Sequence, residues 1–245
     1  MMRRYFLIFT LACSLSLTGM QDAAAEPKAG VSLPPSALLQ YTIRADIKGM
    51  SLDGTSRVEW SNGIQSYTLS SETRTALTGV LLSEKSEGML DEAGIAPQTF
   101  SRKRFRKETV QTHFDHKAGT IGFSDNPALP LLKGGEQDRL SVLWQLLAMA
   151  RAQPARFIAG SAWTFRVIGN RDGEEWVFDV KETQKLRTVL GEVDTLHIMR
   201  VPTEKSGPTI DIWLAPSLDW FPVRLRAAED NGDTIEQSLS KLEKK

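Results

Sequence analysis

From Leu39 onward, apolar and polar positions alternate: Tyr41, Ile43, Ala45 and Ile47 interleave with Thr42, Arg44, Asp46 and Lys48. A period of two sends successive side chains to opposite faces, so one face can be buried while the other meets water, and a half-buried strand is expected here. Alternating segments follow at 56–60, 64–71, 80–87, 98–107, 109–116 and 119–123. Between them stand Asp53-Gly54, Asn62-Gly63 and Ala93-Gly94, pairs that tolerate the positive φ angles of tight hairpins. An antiparallel meander is therefore expected.

The alternation stops at Asn126-Pro127 to Gly134-Gly135, which reads as a loop. Beyond it, Leu140, Leu143, Trp144 and Leu147 recur at three- and four-residue spacing. Asp138 can accept a hydrogen bond from a free backbone N–H, and Pro154 stops the run, predicting one amphipathic helix near 138–151. Leu146 and Met149 widen its apolar stripe, as expected of a helix contacted on two sides.

Strand periodicity resumes at 163–167, 176–180, 183–190, 192–201, 209–214, 222–229 and 234–242, with turns at Asn170–Gly173, Gly191 and Asn231-Gly232. The expected fold is mainly β: about a dozen antiparallel strands in a curved sheet, barrel or spiral, because so many strands left flat would expose long edges. The helix is expected to cover one face or opening.

The first residues carry a different message. Arg3 and Arg4 precede an uncharged run from Tyr5 to Leu17, and the small residues Ala23, Ala24 and Ala25 follow before Glu26-Pro27. This is the layout of a secretory signal peptide at 1–25, with cleavage expected after Ala25 and a periplasmic destination. The apolar run falls short of the ~20 residues of a spanning helix, so no transmembrane segment is expected in the mature chain. An alternative reading attaches lipid at Cys13, although Thr10 stands where that signal usually has Leu. Residues 26–37, with Pro27, Pro34 and Pro35, read as an extended leader, and 38–245 as a single β-rich domain.

Removing residues 1–25 takes Arg3, Arg4 and Asp22 from totals of 30 basic and 30 acidic residues, leaving 28 and 29. Near-neutrality gives no reason to expect a nucleic-acid partner. Cys13 is the only cysteine, so a mature chain begun after Ala25 has no disulfide and no thiolate chemistry.

The second half carries a resemblance. Asp138-Arg-Leu-Ser141-Val-Leu-Trp144-Gln-Leu is followed by Gly160 to Phe165, Arg171-Asp172-Gly173 and Trp176-Val-Phe178. Asp211-Ile-Trp213-Leu214-Ala-Pro216, Pro222-Val223-Arg224-Leu-Arg226 and Gly232-Asp233 then complete the series. In order and spacing this resembles the exported bacterial proteins grouped as domain of unknown function 3108. The resemblance implies a signal-bearing, β-rich envelope protein with no established reaction, cofactor or catalytic residues.

Candidate chemistry is sparse. Asp211 and Trp213 share one strand face, as do Arg224 and Arg226 on the next, so Asp211 can pair with either arginine, and Trp213 and Trp220 can supply either a ligand wall or core. Arg102, Arg104 and Arg106 fall on one strand face as a cationic stripe, fit for lipid head groups or an acidic partner, or else for discouraging edge pairing. His113, His116 and His197 do not make a metal-ligand pattern, and Asp172, Glu174 and Glu175 read as a solvated turn. No nucleophile elbow, zinc helix or phosphate loop occurs, so no catalytic residue, metal or cofactor is assigned. The reading is a non-catalytic periplasmic binding or envelope-maintenance protein that presents a concave β surface to a lipid, glycan or protein partner. The alternatives are an envelope scaffold acting by protein–protein contacts and a hydrolase with an unrecognised carboxylate site.

Overall fold

The computed structural model describes residues 30–124, 126–130, 134–202 and 207–245. The expected signal peptide, with Cys13 and the cleavage position after Ala25, lies outside them.

Eight strands come first: β1 (Ala37–Ile47), β2 (Met50–Asn62), β3 (Ser66–Thr75), β4 (Gly79–Asp91), β5 (Gly94–Arg104), β6 (Val110–Asp115), β7 (Thr120–Phe123) and β8 (Asn126–Pro130). A two-residue strand β9 (Gln137–Asp138) leads into helix α1 (Ser141–Ala152). The second half holds β10 (Ala162–Ile168), β11 (Gly173–Thr188), β12 (Gly191–Arg200), β13 (Thr209–Leu214), β14 (Pro222–Ala228) and β15 (Thr234–Lys244).

All fifteen strands join one sheet. Each half is a meander in chain order, and β15 lies between β1 and β14, joining the halves. Every ladder is antiparallel except β9 with β10. The sheet curls until distant strands meet: Gln137 Nε2 of β9 donates to the Ile95 carbonyl of β5 at 2.7 Å, and Thr112 of β6 donates to the Gly169 carbonyl just beyond β10 at 2.9 Å. Curling lets one face bury its alternate residues without a second sheet.

The concave face takes Leu39 and Tyr41 of β1, Val58 and Trp60 of β2, Tyr67 and Leu69 of β3, Phe178 and Val180 of β11, and Ile212 and Leu214 of β13 into one core with α1. The helix is buried nearly all round, with Leu146, Leu147, Ala148 and Ala150 fully enclosed, as expected of a helix inside a curled sheet. Gln145 ties it to β5, accepting from the Ile95 N–H at 2.9 Å and donating to the Ala93 carbonyl at 2.7 Å.

Local details depart from the sequence pattern for identifiable reasons. The segment expected as a loop contains β8; its prolines lack N–H donors, but an edge strand needs only one row of hydrogen bonds. Asp53-Gly54 is not a turn. It lies inside β2, where a Cβ on Gly54 would stand 2.7 Å from the Arg74 carbonyl oxygen, and the turn falls at Lys48-Gly49, both at positive φ. The two strands expected at 176–190 are one long strand, β11, with a register shift between Val180 and Thr183. The described part of the leader is docked: Ser32 N–H donates to the Ala148 carbonyl of α1, and the Pro34 carbonyl accepts from Trp60 Nε1 and Asn62 Nδ2.

Candidate functional site

The arginine stripe divides. Arg102 and Arg104 lie on the same face of β5 as fully buried Phe100, the concave face, whereas Arg106 lies beyond the strand end at φ +55. Arg104 and Arg106 are exposed, whereas Arg102 is half-buried and lies opposite Glu84 of β4, with Nε and Oε1 3.1 Å apart. The Arg102 Nε–H is not aligned with that oxygen and has no hydrogen-bond acceptor. Burial pushes the Glu84 carboxyl up, against the lowering effect of Arg102, and desolvation pulls the Arg102 guanidinium down.

The second set of predicted residues converges on the convex face. Asp211 lies opposite Arg226 in the β13–β14 register, with Oδ2 3.6 Å from Arg226 Nη1, but its nearer partner is His197 of β12 at 2.8 Å. Trp213 is half-buried rather than core: the His197 ring stacks on it at 4.7 Å between centroids and the Arg224 guanidinium lies 5.8 Å from its centre. Its Nε1 donates to Gln184 Oε1, which leaves Gln184 Nε2 to donate to His197 Nδ1 and His197 Nε2 to donate to Asp211. The side-chain polar groups of Trp213, Gln184 and His197 are used within the cluster, which suits bracing of β11 to β14 better than catalysis. Trp220 sits apart in the turn after β13, at φ +64, against the edge of the core.

Sequence reasoning missed an apolar hollow. Between α1 and the concave face lies a cavity of about 300 Å³. Tyr41, Val58, Phe178 and Ile212 of the sheet form its floor, and Leu140 and Leu143 at the start of the helix, both half-buried, form its roof. It reaches solvent past Ala227 and Ile235, the latter 40% exposed. Glu84 and Arg139 supply polar wall, and Ser71, Arg226 and Gln237 also border it. Alternation in β1, β2 and β13 marked these floor residues as inward-facing, but nothing local revealed that α1 leaves a gap beside them.

Arg139 belongs to three hollows at once. It stands 3.5 Å from Glu174 and 3.8 Å from Asp172, exposed pairs that hold it weakly. The carboxylates expected as a solvated turn therefore meet arginines: Glu174 also lies 3.4 Å from Arg200, whose guanidinium covers the Trp176 ring at 4.5 Å.

Beneath Arg139 runs a buried chain. Asp138 accepts from the backbone N–H groups of Leu140 and Ser141 at 2.8 Å each and from the Ser86 hydroxyl. Ser86 has one proton, spent on Asp138, so Tyr67 donates to Ser86 at 2.7 Å. Burial outweighs these hydrogen bonds and pushes the Asp138 carboxyl up; it pushes the Tyr67 phenol up as well.

The family model described as "Protein of unknown function (DUF3108)" matches residues 40–240. No curated protein matches the chain in sequence. Among solved structures, the β-barrel-like protein of domain of unknown function DUF1849 from Brucella abortus superposes with a TM-score of 0.60 at 15% identity, covering 88% of this chain and 100% of that one, a likeness of fold. A Bacteroides fragilis protein described as exported, with a YmcC-like fold, has a TM-score of 0.38 at 10% identity, covering 87% of this chain and 100% of that one. A Vibrio parahaemolyticus domain described as outer membrane lipoprotein-sorting has a TM-score of 0.32 at 9% identity, covering 86% of each chain. These last two superpose too loosely to bear on the argument.

Proposed function

The chain belongs to the DUF3108 family of proteins of unknown function, and from that premise we propose that it is a non-catalytic binding protein of the bacterial envelope. Its curled sheet and α1 hold the apolar part of a lipid-like ligand between them. The expected signal peptide assigns it to the periplasm. The observation that carries the reading is the cavity of about 300 Å³ under Leu140 and Leu143. A hollow of apolar walls with a few polar groups at one side is the usual form of a small-molecule site.

The carboxylates nearby are committed to other partners. Both Asp138 oxygens are taken by Ser86, Leu140 and Ser141, which favours binding over hydrolysis.

Titration of the purified mature protein with the neutral fluorophore N-phenylnaphthylamine tests the reading. Saturable binding with enhanced fluorescence is expected, and Leu143→Trp, which fills the cavity from its half-buried roof, is expected to weaken it about tenfold. Ala227→Leu does the same from the open end. Absence of saturable binding, or unchanged affinity in both variants with unfolding midpoints intact, would reject it.

A further inference from the structure

Against the apolar cavity, across Arg139, lies a second hollow of about 410 Å³. Arg102, Arg104, Lys107, Arg139 and Arg171 line it, against only Glu108 and Asp172 among acidic side chains. Edge protection is the ordinary reason for a cationic strand, and it does not apply: β5 is an interior strand, paired with β4 on one side and β6 on the other. Arg102, half-buried beside enclosed Phe100, is the inner member of the group, with Arg104 and Lys107 exposed at its mouth.

Like charges brought together in a hollow repel one another unless an anion joins them. Counter-charge is partial: Glu84 pairs with Arg102 and its field also reaches Arg139 and Arg104, and Arg139 stands near Asp172 and Glu174, but cations still outnumber acids in the lining and the buried Arg102 Nε–H lacks an aligned acceptor. A planar guanidinium fork suits a phosphate, which offers several oxygens to several donors.

Resting on the cavity reading above, we propose that the ligand is an amphiphile whose anionic, phosphate-class head sits among Arg102, Arg104, Lys107 and Arg139 while its apolar chain lies under Leu140 and Leu143. Arg139 borders both hollows, at the junction of head and chain. Glu84 holds Arg102 in place when the head is absent and limits how much positive charge the empty site carries.

The test is displacement of N-phenylnaphthylamine by two lipids of one acyl chain, lysophosphatidic acid and the neutral monoacylglycerol. Lysophosphatidic acid is expected to displace the probe at about tenfold lower concentration or better, the effect of two or more charge-assisted hydrogen bonds. In the doubly reversed variant Arg104→Glu/Lys107→Glu, whose two positions are exposed, that preference should vanish while displacement by monoacylglycerol is unchanged. Equal potency of the two lipids, or a preference that survives the reversal, overturns the head assignment and leaves the cavity reading standing. Failure of both lipids to displace a bound probe overturns the amphiphile itself. Binding of inorganic phosphate as tight as that of lysophosphatidic acid would assign the cationic hollow to free phosphate and equally refute the proposal.

Discussion

Asp138 is fully enclosed, yet it is a carboxylate, and it is tolerated because four donors and acceptors surround it. Its side chain caps α1 through the Leu140 and Ser141 N–H groups, while its own N–H donates to Ser141 Oγ. Because burial raises its pKa above the unfolded value, the folded state holds the proton more tightly. Stability therefore declines as pH rises from the unfolded to the folded pKa and is flat beyond. Asp138→Asn keeps an acceptor for the cap and a donor toward Ser86, so it should remove this decline and fold at neutral pH at least as well as the native chain. Asp138→Ala strands two buried N–H groups and should cost about 1–3 kcal/mol in urea unfolding. The capping role was legible in the sequence from an Asp just ahead of an apolar run. Ser86 and Tyr67 were not, being brought in from β3 and β4 by pairing that no local pattern encodes. The pairing of His197 with Asp211 was hidden for the same reason: Asp211 had arginine candidates on one neighbouring strand and its closer partner on the other.

At the scale of elements, α1 does two jobs with two faces. Leu147 is fully enclosed, so Leu147→Ala should destabilise by about 2–5 kcal/mol, the cost of a core cavity. Leu143 is half-buried over a hollow that already exists, so Leu143→Ala should cost under about 1 kcal/mol and enlarge the site. Guanidinium unfolding of the two variants separates the faces, and equal losses would contradict the assignment. Three- and four-residue spacing located this helix to within a turn, Ser141–Ala152 against an expected 138–151. Spacing reports which residues are apolar and is silent on which of them meet a gap. The arginine stripe shows the same limit: alternation placed Arg102 and Arg104 together, but β5 ends at Arg104, and whether the shared face is inner or outer depends on the curl.

At the scale of the whole molecule, the strand count and the antiparallel plan were legible because each hairpin is local. The curl and the seam were not, since they depend on contacts between residues some two hundred positions apart, such as Leu39 with Leu242 and Tyr41 with Leu239. Tyr41 marks the seam a second time, its hydroxyl donating to the Pro222 carbonyl at 2.9 Å. Arg151 of α1 and Lys244 of β15 both reach Asp219, whose carboxyl they hold below its usual range, Lys244 most strongly.

The position of β15 between β1 and β14 also sets a clock. A ribosome makes β15 after the other fourteen strands, so until it emerges β1 and β14 present unpaired edges at the seam. Nascent chains arrested before Thr234 should therefore be digested by protease along their length, while emergence of β15 should bring resistance in a single step. A sheet that cannot close until β15 exists leaves the chain before it threadable for as long as that strand is missing.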